Sequence, residues 1–147
     1  MSRTKARVVA MQALFLLDAD EGGMEEIMEM RAQEEGITDD DMMYLREAVA
    51  KVQENLDEID THIKNYSIDW SFGRLGKVDR AILRLALAEI LFVDSVPSNV
   101  AISEAVRIAK KYGTEHSSRF INGILGKFVR EHFKNNNNSH RFNKVQS

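Results

Sequence analysis

The side chains able to do chemistry in this chain are cations and aromatics, not a catalytic set. His62, His116, His132 and His140 are scattered and lack metal-ligand spacing. There is no cysteine, which excludes disulfides and thiolate metal sites. No G-x-S-x-G elbow, P-loop or dinucleotide fingerprint occurs, so neither an enzyme, a metal nor a cofactor is expected. Arg3, Lys5 and Arg7 cluster at the chain start, with Arg3 and Arg7 four apart on one helix face. Cations are disfavoured at a helix N-terminus, so local helix stability does not account for them. A phosphate-bearing partner does. Gln12 offers an amide for a base edge, and Phe15 either stacks on a base or packs in the core. A second set, Arg119, Phe120, Asn122 and Lys127, stands towards the other end. Phe120 is offset from the apolar positions around it, so it is either a base-stacking aromatic or a residue closing the core's rim.

Helices must position these groups. One proline, a wealth of helix formers and no alternating β-branched run leave no expected strand. The first helix reads from about Arg3 to Asp18, with Val9, Ala10, Ala13, Leu14 and Leu17 on one side, and Gly22-Gly23 ends it. A Met-rich helix follows from about Met24 to Glu35, stopped by Gly36. Thr38 with Asp39, Asp40 and Asp41 is a helix start resembling a capping box. Behind it, Met42, Leu45, Val49, Val52, Leu56, Ile59 and Ile63 step by three and four, which reads as one long bundle helix. A short element from Trp70 to Leu75 leads into the most informative segment. From Ala81 to Val93 only Arg84 and Glu89 are polar, and a helix apolar on all sides belongs at the centre of a bundle. Buried charges are costly unless paired, so Arg84 and Glu89 are expected in interhelical ion pairs. Ser98–Tyr112 buries Ala101, Ala105, Ile108 and Ala109, and Lys110, Lys111 and Gly113 close it as helix C-termini usually close. The last helix starts near Ser117 and packs Ile121, Ile124, Leu125 and Phe128. Gly123 within it is explained by close approach of another helix or by function.

The expected organisation is one domain over residues 1–134, two groups of about three helices joined near 66–76, then a disordered Asn-rich tail over 135–147. No signal peptide or membrane span is expected. The net charge of −3 conceals a division. Residues 18–60 carry 16 acids against three bases, whereas residues 1–17 hold three bases and no acid, and residues 61–147 hold 14 bases against seven acids. Such a division fits a polyanion touching both ends of the chain, or simply a solvated acidic face in the middle.

Four stretches, KARVVAMQALF, WSFGRLGKVDRAILRLALAEI, VPSNVAISEAVRIAKKYG and SSRFINGILGK, occur in an order and spacing that resemble the NusB family of transcription antitermination factors, over most of residues 3–130. The resemblance implies an all-α fold of about seven helices in two packed three-helix bundles. It implies a non-enzymatic, cytoplasmic protein that binds boxA-type single-stranded RNA with the ribosomal protein NusE, within an RNA polymerase antitermination complex. Some family members self-associate and cover the RNA surface, so a homodimer is also among the expected partners. The family's RNA site maps onto Arg3, Lys5, Arg7, Gln12 and Phe15, and onto Arg119, Phe120 and Asn122. Thr4 stands where a further basic residue is often found, and His116 where an acid is common. The partner face maps onto Arg74, Asp79 and Arg80. Two alternatives stay open: a protein-binding helical adapter without RNA activity, and a recognition module of the kind that precedes some ribosomal RNA methyltransferases. The absence of a cofactor-binding extension argues for a free-standing protein.

Overall fold

The structure, a computed structural model, describes residues 2–18, 22–67 and 75–135. The described residues form α1 (Ser2–Phe15), continued by a single 3-10 turn (Leu16–Asp18), then α2 (Met24–Glu35), α3 (Asp39–Glu54), α4 (Leu56–Tyr66), α5 (Lys77–Phe92), α6 (Ser98–Tyr112) and α7 (Ser117–Asn135). The boundaries follow local chemistry. Gly36 takes a left-handed φ of 66° at the end of α2, where its backbone N–H returns to Ala32 and Gln33. Thr38 caps α3 by accepting from the Asp41 N–H at 3.2 Å, and three aspartates fill the first turn.

The long helix expected from Met42 to Ile63 is two helices. Asn55 leaves helical geometry at φ −125° and ψ 27°, while its side-chain amide donates to the Lys51 carbonyl at 2.9 Å. An asparagine that offers the backbone an alternative partner favours such a joint. Leu45, Val49, Val52, Ile59 and Ile63 are all buried nonetheless, because the joint keeps both halves of the apolar seam facing inward. The short element expected from Trp70 to Leu75 lies outside the described residues except for Leu75, and so does the tail beyond Asn135.

At the centre lies α5, with every residue from Ala81 to Leu91 buried. It packs against α1, α3, α4, α6 and α7. These contacts join the bundle of α1–α3 to that of α4–α7 around one continuous core. Burying a Leu or Ile side chain stabilises by roughly 1.5–3 kcal/mol, so α5 is the largest single source of cohesion. Both charges in that buried stretch, Arg84 and Glu89, are paired across helices, as expected. Arg84 makes two bonds of 2.8 Å to the Asp60 carboxylate on α4, and Glu89 accepts from Arg7 on α1 at 2.8 Å.

Candidate nucleic-acid interface

The α1 cations separate by position around the helix. Arg7 points inward and is only 5% exposed. Its Nε donates to Glu89, its Nη1 lies 3.4 Å from Glu104 on α6, and its guanidinium sits 5.3 Å from the Tyr44 ring centre. The Tyr44 hydroxyl also donates to Glu89. Burial opposes the Arg7 charge, but Glu89, Tyr44 and Glu104 outweigh it and hold the guanidinium more firmly protonated than usual. Arg7 was expected among the RNA-binding cations. That expectation is corrected: the side chain is spent inside, joining α1 to α3, α5 and α6. Arg3 is half-exposed, bonded to Asp41 at 2.9 Å and lying 4.5 Å over the Tyr44 ring. It lines a shallow depression beside the α5–α6 turn together with Val96, Pro97 and Val100.

Lys5 points the other way. Lys5, Val8, Gln12 and Phe15 fall at helical spacing along one outward stripe of α1, none of them fully buried. The stripe opens on a groove of about 410 Å³ between α1, α2 and the C-terminal half of α6, where Lys5 meets Arg31, Arg107, Lys111 and Tyr112. Further along, Arg31 donates to the Gln12 amide oxygen at 3.0 Å. At the stripe's end the Lys77 ammonium of α5 lies 6.0 Å from the Phe15 ring centre. Cations flanking half-exposed aromatics form the surface that single-stranded nucleic acid uses, with phosphates on the cations and bases on the rings.

The α7 residues join this surface by two routes. Asn122 is exposed and lines a second groove that shares Arg107 and Lys111 with the first. Arg119 is exposed one turn earlier. Phe120 is half-buried against the core and also lines a recess of about 240 Å³ with Asp79, His116 and Gly76. Asp79 was expected on a face apart from Phe120, yet the two share one recess. Arg80, also half-buried, donates to the Leu75 carbonyl at 3.0 Å and braces the start of α5. Arg74 lies outside the described residues. The close helix approach offered for Gly123 is not found, since a Cβ there would meet nothing within 4 Å. No group of three metal-ligating side chains occurs among the described residues, and none of their helices is long and apolar enough to cross a membrane.

Reading residues along the chain missed Arg31, Lys77, Arg107, Lys111 and Tyr112. Lys111 was explained by its place at a helix C-terminus, which is a sufficient local reason. Only the packing of α6 beside α1 puts it next to Lys5.

The model of the NusB family matches residues 4–130 of this chain. The chain is 42% identical over 130 residues to the transcription antitermination protein NusB of Natranaerobius thermophilus, covering 85% of this chain and 92% of that protein. It is 39% identical over 129 residues to the protein of the same name in Oceanobacillus iheyensis, covering 88% and 99% respectively. Among solved structures, T. maritima NusB superposes with a TM-score of 0.80 at 38% identity, over 88% of this chain and 91% of that one. A crystal structure of the antitermination factors NusB and NusE in complex with dsRNA superposes with a TM-score of 0.77 at 29% identity, over 88% of this chain and 97% of that one. Sequence and fold agree along nearly the whole described length, and the chain belongs to the NusB family.

Proposed function

We propose that this protein is a transcription antitermination factor that binds boxA-type RNA together with the ribosomal protein NusE. Its task is to keep RNA polymerase processive on ribosomal RNA operons, in the cytoplasm and without catalysing a reaction. One observation carries the reading: a single groove gathers Lys5 of the first helix with Arg107, Lys111 and Tyr112 of the sixth. The RNA path runs from that groove along Gln12 to Phe15, Lys77 and Phe120, and Arg119 and Asn122 border it on α7. Arg3 adds charge at the rim. NusE, held near Asp79 and Arg80, extends the surface rather than occupying a separate one, because Asp79 and Phe120 line the same recess.

Aromatics at the end of the path favour a single strand, whereas the solved relative holds double-stranded RNA. Titration of labelled boxA-type RNA, with its duplex as competitor and with or without NusE, separates the two. Log affinity should fall with log salt at about −0.7 per neutralised phosphate for a single strand. Lys5→Gln and Lys111→Gln should each flatten that slope by about 0.7 and weaken binding several-fold. Parent-like affinity and slope in the double variant would remove the groove from the RNA site. Sedimentation of the free protein tests whether a homodimer competes with RNA.

A further inference from the structure

The groove beyond the proposed RNA path has its own chemistry. It lies on the outer side of α6 against α7, holds about 590 Å³, and is lined by Ser103, Val106, Arg107, Lys110, Lys111 and Asn122. Three of those six are cations and none is an acid. Lys110 and Lys111 are exposed, and no carboxylate among the described residues is paired with either. Arg107 keeps its side chain 68% exposed while touching Glu104 at 3.4 Å. The helix dipole accounts for cations in the last turn of α6, but Arg107 and the cleft reaching back to Ser103 lie upstream of that turn.

Two features set this groove against its neighbour. Arg107 and Lys111 line both, so the two grooves adjoin and share these cations. The first has Tyr112 in its wall, whereas the second has no aromatic. A cationic cleft without a stacking platform can hold a sugar-phosphate backbone and has no flat surface on which to take a base. We infer that the α6–α7 groove binds the backbone of single-stranded RNA flanking the recognised element, indifferent to the sequence of that flank. Lys110 is the cation peculiar to it. The inference rests on the RNA-binding reading above.

The test compares the recognised RNA alone with the same RNA carrying a single-stranded extension on its 5′ or its 3′ side, over a series of salt concentrations. One extension should bind several-fold tighter at low salt, with a slope steeper by about 0.7 per phosphate gained. Scrambling the extension should change nothing. Lys110→Gln should reduce the increment and leave the affinity for the short RNA at the parent value, because Lys110 lines only the second groove. Equal slopes for short and extended RNA, an increment undiminished in the variant, or dependence on the extension's sequence would overturn the inference while sparing RNA recognition. Failure of the short RNA to bind the parent protein would sink both readings. An increase in the free parent's oligomer mass that Ser103→Glu removes would reassign the groove to a second copy of the chain.

Discussion

Arg7 and Glu89 show how one helix position decides between binding and stability. Their pair is enclosed, so cutting one side chain leaves a buried charge unpaired. Arg7→Met should destabilise the fold by about 3–5 kcal/mol in denaturant titration, and adding Glu89→Gln should recover much of that loss. A variant with parent stability would mean that the pair is open to water. Burial, only partly offset by Arg7 and Tyr44, also holds the Glu89 carboxyl above the ordinary glutamate range. The folded chain therefore takes up this proton at higher pH than the unfolded chain does. The stability that follows is complete below the unfolded value of about 4.3 and is lost as pH rises through the folded value. The stability of the parent minus that of Glu89→Gln should grow as pH falls from neutrality towards about 4.3. A flat difference over that window would contradict the direction of the shift.

At the scale of elements, the α6–α7 joint governs the proposed interface, because α6 carries the groove cations and α7 carries Phe120 and Asn122. The joint is tight. The Thr114 N–H donates to the Ser117 hydroxyl at 2.8 Å, and a Cβ on Gly113 would stand 2.5 Å from that same oxygen and 2.9 Å from the Ala109 carbonyl. Gly113→Ala should cost about 1–3 kcal/mol, as overpacking does, and weaken RNA binding beyond what the stability loss explains. Thermal melts beside RNA titrations measure both, and a neutral substitution would show the joint to be soft. The α3 start offers a contrast, because Thr38 does not line the groove. Thr38→Ala removes one cap, should cost about 1 kcal/mol, and should leave RNA affinity where it was.

Across the whole molecule, charge is sorted by function. Exposed acids of α2 and α3, among them Glu25, Glu29, Asp39, Asp40 and Glu47, lie apart from the α1–α6 groove, whose acidic lining is Glu35 alone among the described residues. Polyanions are repelled from the first surface and drawn to the second. Asp79 is the informative exception, an acid beside Phe120 at the edge of the proposed RNA path. Asp79→Arg should weaken assembly with NusE more than binding of RNA alone, which gains a nearby cation. The opposite order in a three-component titration would place the partner elsewhere.

Much of this architecture was legible in the order of residues. The unbroken apolar run of α5, the caps at Gly36 and Thr38, and the stripes of α6 and α7 are local patterns, and a helix buries the face that its own spacing makes apolar. Pairing of Arg84 and Glu89 was foreseeable for the same reason, since an unpaired charge on such a helix is too costly. The identity of the partners was not. Asp60 and Arg7 were chosen from many charges by the way the helices cross, and that choice turned Arg7 from a surface cation into an internal clasp. Nor could spacing along the chain bring Lys5 to Lys111 or Asp79 to Phe120. Periodicity specifies which side of each helix is buried, but neighbours on the surface follow from how separate helices stack, and that is a property of the packed core.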